Sequence, residues 1–288
     1  MYSVTMRLGL VQLFETIGDT SPVNFGCYND CNDNQGELFG GFDNNFYNIA
    51  EEDIAIAAGM HTDTGIDFSV LPPDIHELYE LSADAFGAVV YAWMSELPVT
   101  GQIIRFGKKI LAARNAVTGI GPDQRGKLEA AQRKAANFAA TDRGDPDVQT
   151  VREAAYKVWH ETNRLTGLLR FCPDEKGVYT AQCEPDHFVL PALGPHFMER
   201  FGGTPWSIID NKRRVSLCCK TGEPDALDGT LVFLANTENP FSFGKGQGGE
   251  WENLWKHYHK TINNESRNNP GLQKRFMPAR YWKYLTEM

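Results

Sequence analysis

The stretches LLRFCPDEKGVYTAQCE (residues 168–184) and WSIIDNKRRVSLCC (residues 206–219) decide the fold class. Each holds two short apolar runs around a polar turn. In the first, residues 168–172 and 178–184 flank a loop ending in Gly177; in the second, residues 206–210 and 215–219 flank Asn211-Lys212-Arg213-Arg214. Short runs rich in β-branched and aromatic residues, joined by four or five turn-forming residues, read as β-hairpins. Ahead of the first hairpin, Asp145-Pro146-Asp147 has the chemistry of a helix start: a capping acid, a proline in the first turn and a second acid on the positive end of the helix dipole. Val151, Ala155, Val158, Trp159, Thr162 and Leu165 then share one face, and Gly167 is the expected C-terminal cap. Between the hairpins, residues 195–201 predict a short helix stopped by Gly202-Gly203. The order α-β-β-α-β-β predicts an α+β fold, with helices packed on a small antiparallel sheet built from two hairpins and helical additions at both ends.

Outward from that core the signals thin. Residues 74–96 and 101–113 show apolar stripes at helical spacing (Leu78, Leu81, Phe86, Val89, Val90 and Trp93; Ile103, Ile104, Phe106, Ile110 and Leu111). Residues 115–145 read as helix plus linker, and 18–75 as a loop-rich insertion with a short helix near 51–59. Residues 220–250 are polar and end in a glycine-rich run. An amphipathic helix then carries Trp251, Leu254, Trp255, Tyr258 and Ile262 along one stripe, with the two tryptophans expected in the core. A last helix is expected from Pro278. The organisation predicted is an acidic, loop-rich segment over 1–75 and an α+β domain over 76–288 with basic and aromatic C-terminal helices.

Charge is unevenly spread. Residues 1–100 hold one basic and sixteen acidic residues; the remainder holds 27 basic and 21 acidic, within a chain of net charge −9. Such asymmetry fits an acidic interaction surface or a basic face for nucleic acid. No apolar run is long enough to predict a membrane span, and the first residues have no signal-peptide pattern, so a soluble, cytoplasmic protein with six reduced cysteines is expected. Cys27 and Cys31 are an isolated pair, and adjacent Cys218 and Cys219 point to opposite faces of a strand. No metal site and no cofactor are therefore predicted. The chain has no P-loop, no dinucleotide-binding glycine fingerprint and no nucleophile elbow.

Three clusters carry possible chemistry. Asp186 and His187 follow a strand end, and His196 lies near the expected start of the short helix, where backbone N–H groups favour an anion. Asp186, His187 and His196 are the candidate acid–base groups, although Asp186 and His187 equally suit a cap and a packed strand end. Arg200, four residues from His196, suits a phosphate contact. Lys212, Arg213 and Arg214 crowd one turn, which fits a DNA backbone or simply a solvated turn. Residues 251–288 hold seven basic against three acidic residues among many aromatics, a pattern that fits nucleic acid. The binding candidates there are Arg267, Lys274, Arg275, Arg280, Tyr281 and Trp282.

The segments YAWMSELP (91–98), DPDV (145–148), LLRF (168–171), EPDH (184–187), PHFMERF (195–201), WSIID (206–210) and RFMPARYWKYL (275–285) occur in the order found in a bacterial family of unknown function labelled as DNA-metabolism or DNA-repair proteins, which the chain resembles. The resemblance covers residues 85–288. It implies a role in DNA metabolism beside a radical-SAM protein of DNA repair or modification, in a family with relatives fused to uracil-DNA glycosylase-like modules. It brings no catalytic residue. Three readings follow: a DNA-binding accessory factor for a radical-SAM enzyme, a hydrolase or nuclease acting on DNA through Asp186, His187 and His196, and an acidic protein-interaction module.

Overall fold

A computed structural model of the chain describes residues 73–118, 124–173, 177–220, 230–235, 249–264, 266 and 269–285. Nearly all of the acidic segment 1–75, the helix expected near 51–59, and Arg267 lie outside the described residues. The chain divides into two compact units, Met1–Trp159 and His160–Met288.

The first unit is helical. The stripe over 74–96 forms two helices, α1 (Pro73–Leu81) and α2 (Ala83–Trp93). Ser82 separates them because its hydroxyl accepts the Ala85 N–H at 3.2 Å, an N-cap that favours restarting the helix over continuing it. The same hydroxyl donates to Asn137 Oδ1 at 2.6 Å. Asn137 belongs to α4 (Arg125–Thr141), which pairs with α3 (Thr100–Asn115). Leu78, Phe86, Val89, Val90, Ile103, Ile104, Phe106 and Ile110 are buried, as their spacing predicts. Ser82→Ala removes a cap and an interhelical tie. A loss of about 1–2 kcal/mol is expected in urea unfolding; an unchanged midpoint would show that water replaces both bonds.

Helix α5 (Pro146–Leu168) starts where Asp145-Pro146-Asp147 predicts. Asp145 Oδ1 accepts the N–H groups of Asp147 at 2.8 Å and Val148 at 3.3 Å. The helix start is tied to α3 through Arg105, which grips Asp147 with two nitrogens, and Lys109, which reaches both Asp145 and Asp147. Two details depart from expectation. Gly167 lies inside the last turn, with Leu168 still helical, so it is no left-handed cap. Trp159 is half-exposed beside the Tyr156 ring. Val151, Ala155, Val158, Thr162 and Leu165 are buried as expected, and residue 159 sits about 80° off the centre of that stripe.

The second unit holds the sheet, in the order β1 (Cys172–Pro173), β2 (Tyr179–Cys183), β3 (Trp206–Asp210), β4 (Val215–Lys220) and β5 (Thr230–Ala235). Both expected hairpins form, with β1 reduced to two residues and β3 starting and ending as predicted. The sheet is mixed rather than purely antiparallel. β2 and β3 run parallel, Tyr179 opposite Trp206 and Cys183 opposite Asp210. The reason is α6 (Leu190–Phe201): parallel neighbours need a crossover, and a helix between the hairpins supplies one. β5, antiparallel to β4, arises within the stretch 220–250, which reads from sequence only as polar. Its TLVFLA run is apolar, but the polar residues on either side mask the signal.

Helix α6 starts at Leu190, five residues earlier than expected, and ends where Gly202 takes a φ of +54°, a conformation that glycine adopts cheaply. Phe197 and Phe201 pack on Trp206, and Phe171 and Tyr179 complete the aromatic core on that sheet face. After the sheet come α7 (Gly249–Ile262), α8 (Pro270–Phe276) and a terminal 3-10 helix (Ala279–Tyr284). α8 forms ahead of the helix expected from Pro278, because Asn269 accepts the Leu272 N–H at 3.0 Å and Pro270 occupies the first turn.

Candidate functional site

Residues 184–187, at the end of β2, are held from every side within the second unit. Glu161 sits on α5 among Val158, Thr162 and Leu165, and its carboxylate is buried. It accepts the backbone N–H groups of Asp186 and His187, each at 2.8 Å, and a short hydrogen bond from the Tyr281 hydroxyl. Arg280 donates to it at 3.0 Å. Burial alone would push the Glu161 carboxyl up. The Tyr281 hydroxyl and the two N–H groups outweigh that and hold it below the ordinary glutamate value. Burial and the Glu161 charge in turn push the Tyr281 hydroxyl far up.

The carbonyls of the same loop face the β3–β4 turn. Arg213 donates to Pro185 O at 3.1 Å and Asp186 O at 2.8 Å, and Lys212 Nζ reaches Asp186 O at 3.0 Å. Arg213 is buried (5% exposed) and pairs with fully buried Asp210 at 2.7 Å. Burial pushes the Asp210 carboxyl up, against the pull of Arg213. The 3-10 helix closes the remaining side. Arg280 grips the Asp186 carboxylate at 2.7 Å, while Lys283 and the Tyr284 hydroxyl each donate to Glu184 at 2.7 Å. Lys283 and Tyr284 together hold the Glu184 carboxyl below its usual range.

Each predicted residue now has a place. Asp186 and His187 lie in this clamped loop, with His187 half-buried. Arg280 and Tyr281 clamp it, and Lys212 and Arg213 hold its carbonyls. Trp282 is half-buried, its indole N–H on Met277 O at 2.9 Å. His196 and Arg200 are exposed together, as their spacing predicts, but His196 lies mid-helix because α6 begins at Leu190. The anion site expected at a helix start is therefore not beside it. Burial, then Arg200, lowers the His196 pKa. Lys274 and Arg275 are exposed on α8. Among the described residues, no group of three or more His, Cys, Asp and Glu side chains is placed to hold a metal ion.

A second feature of this unit is a solvent-facing surface of cations and rings. The Trp251 side chain lies outside the described residues, and the rest of the α7 stripe is not core: Trp255 is 39% and Tyr258 52% exposed, and Leu254 and Ile262 are exposed beside them. The two rings stack loosely, centroids 5.8 Å apart. The Arg170 guanidinium lies 5.4 Å from the Trp255 centroid. Arg164, on the last turns of α5, donates to Arg275 O at 3.3 Å. The stretch 164–170, which runs from the last turns of α5 to just beyond its end, thus touches α8 through Arg164 and α7 through Arg170.

Sequence reasoning missed Glu161, Asp210, Arg164 and Arg170. Glu161 was detectable: it is three residues from Val158 and four from Leu165, so it interrupts a buried stripe, where a carboxylate needs partners. Arg164 and Arg170 carry no local signal, since their importance comes from what packs beside them.

Fold and surface together define an α+β protein with a clamped loop at one sheet end and an exposed basic and aromatic surface. The model for a family described as "Domain of unknown function (DUF4130)" matches residues 128–287, and the chain belongs to that family. No curated protein and no solved structure matches the chain. Among the described residues no helix is long and apolar enough to cross a membrane.

Proposed function

We propose that this chain is a cytoplasmic DNA-binding accessory factor in DNA metabolism or repair, acting beside a radical-SAM enzyme that modifies or repairs DNA. The observation that carries the DNA-binding part is that the stretch 164–170 touches α8, through Arg164 and Arg275 O, and α7, through Arg170 and the Trp255 ring, helices on which Lys256, Lys260, Lys274 and Arg275 are exposed. Cations exchange condensed counterions for contacts with phosphate, and exposed rings offer bases a surface. The radical-SAM partner rests on family resemblance alone. Two other readings have less support. A hydrolase using Asp186 has to contend with Arg280, which already occupies that carboxylate, and with five side-chain hydrogen bonds to the loop's backbone. An acidic docking module draws on the charge of residues 1–100, of which 1–72 lie outside the described residues.

The test is fluorescence anisotropy with labelled duplex and single-stranded DNA, at roughly 50 and 200 mM salt. Binding should weaken steeply with salt. Lys274→Ala/Arg275→Ala should weaken it further and lower the log–log salt slope by about two, one for each phosphate that is no longer neutralised. Arg280 is unsuitable for this test because it holds the clamped loop. No binding of either DNA at low salt would sink direct contact.

A further inference from the structure

We infer that the surface formed by α7, α8 and the end of α5 binds a single-stranded polynucleotide, stacking unpaired bases on Trp255 and Tyr258 while Lys274, Arg275 and Arg170 hold the backbone. This rests on the DNA-binding reading and adds which form of DNA is taken.

An amphipathic helix normally buries its apolar face. Here Leu254, Trp255, Tyr258 and Ile262 all face solvent, and Phe276 on α8 is 62% exposed. An exposed stripe of this kind calls for an occupant, and three observations select it. The first is charge. Among the described residues between Asn253 and Phe276, Lys256, Lys260, Lys274 and Arg275 are exposed and there is no Asp or Glu, so the surface complements an anion rather than another copy of itself. The second is ring type. Trp255, Tyr258 and Phe276 are flat π surfaces, and a base has a π face whatever its identity. The third is the Arg170 guanidinium, 5.4 Å from the Trp255 centroid. It backs one face of the indole with a cation and leaves a cation–ring platform with the reach of a base and its phosphate. A duplex hides its base faces inside the stack. Only unpaired bases use the rings, while a duplex can use the cations alone.

The experiment compares four labelled strands with the full chain: a thymidine oligomer of about 16 nucleotides, the upper end of site sizes for such surfaces, its uridine counterpart, an abasic deoxyribose-phosphate strand of equal length, and a duplex. The thymidine strand should bind at least about tenfold more tightly than the abasic strand or the duplex. Tyr258→Ala should lose about tenfold on the thymidine strand and leave the abasic strand unchanged; Tyr258→Phe, which keeps the ring, should bind as wild type. A circular-dichroism melt confirms that each variant is folded. Uridine binding as tight as thymidine binding extends the inference to RNA, while tighter thymidine binding restricts it to DNA. Equal affinity for thymidine, abasic and duplex strands would overturn base stacking and leave the DNA-binding reading standing. No binding to any strand would overturn both. If light scattering instead finds a dimer that Tyr258→Ala dissociates, and no strand is preferred, the stripe is an interface between two copies and the inference is wrong.

Discussion

Glu161→Ala should destabilise the protein by about 3–5 kcal/mol, read as a lower urea midpoint, and Glu161→Gln by nearly as much. The reason is what the carboxylate leaves behind. The N–H groups of Asp186 and His187 and the hydroxyl of Tyr281 all point at it, and a buried donor without an acceptor costs about 1–3 kcal/mol. Glutamine retains the shape and one acceptor oxygen but turns an NH2 group towards the donors at its other position. The effect depends on pH, and its sign follows from the depressed pKa. The folded protein holds Glu161 below the ordinary glutamate value of 4.5. Its contribution is therefore fully present above that value and is lost as pH falls through the lower folded-state value. The difference between wild type and Glu161→Gln should be constant near neutrality and shrink below about pH 4.5. A loss under about 1 kcal/mol at neutral pH would mean that water reaches the three donors, so that Glu161 is not what holds the loop.

Arg213→Met should cost a similar amount, about 3–5 kcal/mol, because it leaves Asp210 buried without its partner and removes the Arg213 hydrogen bonds to the carbonyls of Pro185 and Asp186. The double variant Asp210→Asn/Arg213→Met should be more stable than Arg213→Met alone, since removing both charges avoids an uncompensated buried ion. The pH profile runs opposite to that of Glu161. Without Arg213 the Asp210 carboxyl rises further above its ordinary range, so the penalty is absent at pH values below the ordinary aspartate value of 3.8 and grows as pH rises through the new folded-state value. A double variant no better than the single one would show that the two carbonyl hydrogen bonds, and not the buried pair, account for the loss. Both experiments bear on function, because they separate the groups that hold the 184–187 loop from cations free to meet a ligand.

The local elements were legible because their signals are local. Asp145-Pro146-Asp147 marks a helix start through cap, proline and dipole, and α5 begins there. The WSIID and VSLCC runs around a polar turn mark a hairpin, and β3 and β4 form it. The charge of the C-terminal region is a property of composition, and no packing can change it. Tertiary structure decided the rest. Hairpin signals say nothing about how one hairpin meets the next, so the parallel pairing of β2 with β3 depended on α6 crossing between them. Arg213 and Arg280 belong to the same kind of basic cluster as Lys274 and Arg275. A buried aspartate beneath the turn claims Arg213, and Glu161 and Asp186 claim Arg280, while Lys274 and Arg275 remain exposed. The Trp255–Tyr258 stripe has the period of a core helix, yet period records only that one face is apolar, and what covers that face is set by residues distant in sequence. The sequence thus determined which segments become helix or strand and where charge is concentrated, because those depend on neighbours within a few residues. Which charges are spent inside the fold and which face solvent depended on pairings between residues far apart in the chain, such as Glu161 with Tyr281.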